Sequence, residues 1–124
     1  MDINIWQSDL FSNIQGKYNV IFFNPPYVRT KIGKSLELTQ RLNADGDQVW
    51  DGGELGTDVI AKFLEEATNH LQPSGSVLIG VQDYYVKRSQ MLALAEKYSY
   101  SIAGVYSSWM NPSVAYLLKA NEKL

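Results

Sequence analysis

The run Tyr18-Asn19-Val20-Ile21-Phe22-Phe23, followed at once by Asn24-Pro25-Pro26-Tyr27, limits what this chain can become more than any other feature. A short, almost wholly apolar run reads as a strand buried on both faces, as in a parallel sheet. The two prolines then fix φ twice and remove two backbone donors, so the strand must end at a rigid turn. Parallel strands need helical crossovers, and the rest of the sequence supplies them in alternation. Thr57 offers an N-cap with Asp58 in the first turn, and Ile60, Phe63, Leu64, Ala67 and Leu71 recur at helical spacing until Pro73-Ser74-Gly75, where the helix is expected to stop. Ser76 to Val81 is a further apolar strand, and Val86 to Tyr98 a second helix. Ser101 to Tyr106 and Val114 to Leu118 are strands joined too tightly for a crossover, so an antiparallel pair at one edge is expected. Ile3, Ile5 and Trp6 make a short β-type stretch near the N-terminus. Only about ten residues, Leu10 to Lys17, connect it to the next strand, which is short for a right-handed crossover to a parallel neighbour.

Between Val28 and Glu54 the periodicity fails, and only Ser35 to Leu42 could make about two helical turns. Long segments of this kind in small domains are usually functional or mobile. The first half carries Arg29, Lys31, Lys34 and Arg41, the second Asp45, Asp47, Asp51 and Glu54, a division that suggests a flap facing a substrate. Composition narrows the class further. The 124 residues are 45% hydrophobic without any apolar run near the roughly 20 residues of a membrane helix. Their net charge of -2 gives no general basic field for phosphate backbones, which disfavours nucleic acid as a partner. The lack of cysteine excludes disulfides and thiolate metal sites, and the N-terminus has no signal-peptide pattern, so the default compartment is the cytoplasm. Asp45, Asp47 and Asp51 do not have the spacing of a calcium loop, and no metal site is expected. His70, the one histidine, reads as a surface or helix-end residue, and Trp109-Met110 as the hydrophobic tip of the last hairpin or the rim of a pocket.

The chemistry lies in the tetrapeptide. Open α/β sheets bind ligands at the carboxyl ends of their strands, and Asn24-Pro25-Pro26-Tyr27 begins where such a strand ends. The prolines leave nearby carbonyls free to point into a cleft, Asn24 adds a side-chain carbonyl, and Tyr27 adds a face for a flat group. Acceptors from Asn24 and the Pro25 carbonyl can hold both hydrogens of a planar NH2 group. They would also favour the positive charge that develops as its nitrogen attacks an electrophile. The remaining requirement is positioning and desolvation.

The tetrapeptide resembles the signature of class I S-adenosylmethionine-dependent methyltransferases that modify adenine amines or glutamine amides. Ser8-Asp9-Leu10-Phe11 upstream, and Trp50-Asp51-Gly52-Gly53-Glu54-Leu55-Gly56 downstream, are similar to segments of the HemK-type release-factor glutamine methyltransferases, eukaryotic and archaeal branch. The resemblance implies a Rossmann-like class I methyltransferase sheet, mostly parallel with an antiparallel C-terminal hairpin. It implies S-adenosyl-L-methionine as cofactor, bound by Asp9, Leu10 and Asn24, with Asp9 and Leu10 beside the adenine. It implies Asn24, Pro25 and Tyr27 as catalytic residues, a substrate pocket formed by Asn24, Pro26, Tyr27 and Trp50, and a peptide-chain release factor as the substrate. The family also has an earlier strand with a Gly-rich loop and another ending in an acidic residue. No counterpart precedes Ile3, so residues 1–124 are expected to form a partial methyltransferase domain from the third strand onward. Exposed strand edges would then seek a partner: a second copy, or the small zinc-binding activator of that branch, which would meet Ile3 to Gln7. Two rivals stand beside glutamine methylation: methylation of an adenine amine, and a noncatalytic remnant acting as an interaction module.

Overall fold

The computed structural model describes residues 8–121. The expected strand and partner edge at Ile3–Gln7 lie outside the described residues. From Ser8 the chain makes a turn closed by Ser12 N–H to the Asp9 carbonyl and enters β1 (Tyr18–Phe23). After the proline turn come two short helices, α1 (Thr30–Ser35) and α2 (Leu38–Arg41), and a 3-10 turn at Asp47–Val49. Then follow α3 (Asp58–Ala67), β2 (Leu71–Gln82), α4 (Arg88–Lys97), β3 (Tyr100–Ser108) and β4 (Asn111–Ala120).

The four strands form one sheet in the order β1-β2-β4-β3. β1 pairs parallel to β2, and the last two strands form the expected antiparallel hairpin, with β3 at the edge and β4 antiparallel to β2. The sheet is therefore mixed, with β1, β2 and β3 pointing one way and β4 the other.

Alternate residues of the strands decide where the core lies. Val77, Ile79, Val81, Val114, Tyr116 and Leu118 are buried in a single cluster with Ile60, Phe63, Leu64 and Ala67 of α3 and Met91 and Ala95 of α4. Both long helices thus cover the same face, where Phe63 stacks on Phe23 at 4.2 Å between ring centroids. The intervening positions face away from that cluster, and there Val20 and Phe22 are exposed, Phe22 at 73%. The expectation of a β1 strand buried on both faces therefore fails within the described residues: the strand stands at the sheet edge, and only one of its faces meets a helix.

Three local expectations also shift. The helix ends before Pro73-Ser74-Gly75, passing through a 3-10 turn at Thr68–His70, and these three residues lie inside β2. Ser74 there takes a positive φ of 65°, beside the register irregularity between Tyr18 and Val20. Thr57 occupies the N-cap of α3 without a side-chain capping bond. The Asp58 carboxylate instead accepts from the Leu55 N–H at 3.4 Å. The single helix read at Ser35 to Leu42 is broken at Glu37, whose φ of 55° separates α1 from α2.

Candidate functional site

Phe23 is the last residue of β1, so the tetrapeptide leaves the sheet at the carboxyl end that β1 and β2 share. Asn24 is exposed, Pro25 buried, and Pro26 and Tyr27 half-buried. Because the prolines cannot donate, the turn is anchored from Val28 onward, where a second segment lies alongside it. Val28 N–H donates to the Trp50 carbonyl at 3.0 Å, Gly52 N–H to the Val28 carbonyl at 2.8 Å, and Thr30 N–H to the Gly53 carbonyl at 3.0 Å. The glycine-rich segment thus serves as a brace for the tetrapeptide.

The segment from Val28 to Glu54 is built around Trp50, which is only 4% exposed. Its Nε1 donates to Thr39 Oγ1 at 2.8 Å, and that hydroxyl donates to Asp47 Oδ1 at 2.5 Å. Gly33 makes room for the indole: a Cβ there would fall 2.0 Å from the ring. Thr30 Oγ1 donates to Asp51 Oδ1 at 2.5 Å, and Arg29 Nε to the Glu54 carbonyl at 3.2 Å. The two halves of the segment are therefore joined by hydroxyl-to-carboxylate bonds and by one guanidinium-to-backbone bond.

Two cavities meet at the tetrapeptide. One, of about 400 Å³, is lined by Asn24, Pro25, Pro26, Tyr27, Trp50, Leu38, Gln82 and Tyr85. The other, of about 560 Å³, runs over the sheet end between Asn24, Tyr27, Gly80, Gln82, Tyr106 and Ser108. The structure thus brings Asn24, Pro25, Pro26, Tyr27 and Trp50 to one place. Tyr27 stands 5.9 Å from Tyr85 between ring centroids. Burial raises the Tyr27 phenol above its ordinary value, with Tyr85 adding to the rise and a hydrogen bond with the Gln82 backbone opposing it, so the ring is a neutral wall at physiological pH.

Asp9 and Leu10 lie elsewhere, on a cavity of about 680 Å³ with Phe11, Phe22, Pro26, Asp51, Asp58 and Lys62. Pro26 lines this cavity and the one at Trp50, whereas Asn24 lines only the other two. Of the three residues expected to bind the cofactor, Asp9 and Leu10 share one hollow and Asn24 lies outside it, lining the other two, because the turn carries Asn24 to the sheet end while the N-terminal turn carries Asp9 and Leu10 past Pro26.

No protein-family model matches this chain. In sequence it is 37% identical over 79 residues to a protein of Methanocaldococcus jannaschii named as a protein N5-glutamine methyltransferase, across 64% of this chain and 37% of that protein. It is 26% identical over 99 residues to the release factor glutamine methyltransferase of Borreliella burgdorferi, across 79% of this chain and 34% of that one. The relatives of this chain are HemK-type glutamine methyltransferases. It spans about a third of the length of these two glutamine methyltransferases. Its fold matches that of the E. cuniculi Mtq2-Trm112 complex responsible for methylation of the eRF1 translation termination factor, with a TM-score of 0.56, 24% identity, and 97% of this chain and 62% of that one covered. The sheet and helices are part of a class I methyltransferase fold.

Sequence reasoning missed Gln82, Tyr85 and Tyr106 as cavity walls. Gln82 carried a readable signal, since it is the polar residue ending the apolar strand parallel to β1. Tyr106 did not, because its place depends on pairing with Ala115 across the hairpin. Trp109, 94% exposed at the hairpin tip, lies between Ser108 and Asn111, two residues of the cavity of about 560 Å³. His70 stacks on Phe11 at 4.5 Å, and its Nδ1 lies 3.0 Å from the Gly16 carbonyl, so it ties the N-terminal turn to the end of α3.

Proposed function

We propose that this chain carries the substrate side of an S-adenosyl-L-methionine-dependent N-methyltransferase acting on a glutamine side-chain amide of a peptide-chain release factor. The observation that carries the reading is the Asn24–Tyr27 turn at the carboxyl end of β1, opening on a cavity walled by Trp50, Gln82 and Tyr85. A glutamine amide is flat and has two N–H donors. Tyr27 and Tyr85 offer it aromatic walls, while Asn24 and the Pro25 carbonyl are the acceptors for its hydrogens. Holding both hydrogens turns the nitrogen lone pair toward the electrophile and stabilises the charge that grows on nitrogen. The buried Trp50 and half-buried Pro26 keep water from one side of that amide.

S-adenosyl-L-methionine would supply the electrophilic methyl group. The hollow beside Asp9 and Leu10 suits such a molecule: it lies within the usual size range of ligand pockets, with apolar walls at Leu10 and Phe22 and carboxylates at Asp9, Asp51 and Asp58 for polar or cationic groups. Two of these already serve the fold, since Asp51 accepts from Thr30 and Asp58 from the Leu55 N–H. Asp9 is the carboxylate that the resemblance assigns to the cofactor. The proposal includes a small activator of the kind present in the E. cuniculi complex, and a cytoplasmic setting. Among the described residues, no helix is long and apolar enough to cross a membrane.

The test is a methyl-transfer assay with the purified chain, alone and co-expressed with such an activator, offered a release factor or an adenine-containing oligonucleotide. Mass spectrometry should find one added methyl group on a glutamine, and Asn24→Ala should lower the single-turnover rate by roughly 10²-fold while cofactor affinity stays nearly intact. Methylation of the oligonucleotide alone, or an Asn24→Ala variant with an unchanged rate, would overturn the assignment.

A further inference from the structure

We infer that Gly80 is a positioning residue for Asn24, an inference that rests on the function proposed above. Phe23 and Ile79 are partners in the parallel ladder of β1 and β2, so the next residues, Asn24 and Gly80, stand side by side at the carboxyl ends of the strands. A Cβ at Gly80 would lie 3.0 Å from Asn24 Oδ1. That is tighter than an ordinary contact of a carbon with an oxygen, so a side chain there makes the carboxamide oxygen give way by a few tenths of an ångström.

Two further observations separate this role from ordinary packing. Glycine inside a strand costs roughly 0.5–1 kcal/mol relative to alanine, and no positive φ occurs at Gly80 to require it. The fold alone would favour alanine. Asn24, in turn, is exposed, and among the described residues its carboxamide has no hydrogen-bond partner. The amide is free to turn, and what Gly80 leaves open is the space into which Oδ1 settles beside Tyr27 and Gln82. An added methyl group would be accommodated by rotation of Asn24 rather than by distortion of the sheet. The consequence falls on the orientation of the acceptor, to which a reaction dependent on alignment is most sensitive.

The experiment compares the full chain with Gly80→Ala, Asn24→Ala and the double variant. Three quantities are read: melting temperature, the side-chain amide resonances of Asn24 in a 15N-labelled sample, and the kcat and KM for methyl transfer to a release factor. Gly80→Ala should melt at or above the wild-type temperature, shift the Asn24 resonances, and lower kcat by roughly three- to tenfold with little change in KM. Unmoved Asn24 resonances would overturn the inference, as would an unchanged kcat in Gly80→Ala where Asn24→Ala is inactive. Full activity in Asn24→Ala would instead refute the proposed function, while the resonance shift would still report on positioning. Should Gly80→Ala fail to fold, the double variant decides. Its recovery places the conflict at Asn24, and its failure shows that Gly80 serves the sheet, which overturns the inference.

Discussion

Replacing Gly52 by alanine tests how the tetrapeptide is held. A Cβ at Gly52 would lie 2.3 Å from the Gly56 carbonyl oxygen, 2.7 Å from Tyr27 Cα and 2.9 Å from the Pro26 carbonyl oxygen. All three obstacles are backbone atoms, so no side-chain rotation relieves them. The segment cannot retreat freely either, because Gly52 N–H donates to Val28 at 2.8 Å and its carbonyl accepts from Asp58 N–H at 3.0 Å. Overpacking costs about 1–3 kcal/mol, and losing each hydrogen bond about 0.5–1.5 kcal/mol more. A total of about 2–6 kcal/mol follows, a large share of the 5–15 kcal/mol typical of a domain, with a fall in Tm on the order of 10–20 °C. Urea unfolding followed by tryptophan fluorescence measures it, since Trp50 is buried in the folded state. Gly46→Ala is the control: its backbone is extended, with φ at 178°, and its Cβ would meet only the flexible end of Gln48. That variant should stay within about 0.5 kcal/mol of wild type. If Gly52→Ala proves equally mild, the brace between the glycine-rich segment and the tetrapeptide is not close enough to matter, and the reasoning fails.

Other consequences can be measured on the same chain. Trp50→Phe keeps an aromatic core but loses the bond to Thr39, so about 1 kcal/mol of stability should go and KM for the glutamine substrate should rise; an unchanged KM would remove Trp50 from the substrate pocket. Burial pushes the Tyr100 phenol up to about 12, and its hydroxyl donates to the Leu64 carbonyl at 2.7 Å. A raised folded value means that this stability is fully present below pH 10, near the unfolded value, and is lost as pH climbs from about 10 to 12, by about 2–3 kcal/mol in total. Urea midpoints across that window should fall in wild type and fall less in Tyr100→Phe; parallel curves would refute the assignment. Phe22→Ser should leave Tm nearly unchanged yet reduce hydrophobic-dye binding and light scattering, because Phe22 lies on the uncovered face of the edge strand. Scattering identical to wild type would mean that this face does not drive association.

What could be read from the sequence depended on how local its cause was. The helix at Asp58–Ala67 was legible because Ile60, Phe63, Leu64 and Ala67 repeat at the period of the structure they form, and the final hairpin because its loop admits no crossover. Asn24 to Tyr27 were legible because proline acts on its own backbone. The exposure of Val20 and Phe22 was not, since an apolar residue has the same composition whether a neighbouring layer covers it or not. Nor were the duties of Gly33, Gly52 and Gly80, each set by an atom of a residue distant in sequence: the Trp50 ring, Tyr27 Cα and Asn24 Oδ1. This division has a physical basis. A turn with two prolines has lost the donors that would tie it to a ladder, so its position must come from elsewhere, and its backbone bonds to the glycine-rich segment start at Val28. Contacts of the required tightness are made where a neighbour lacks a Cβ, on one side by Gly52 against Pro26 and Tyr27, on the other by Gly80 against Asn24. The glycines are therefore the complement of the prolines: what makes the turn rigid and poor in donors also makes it dependent on close backbone approach for its place in the cleft.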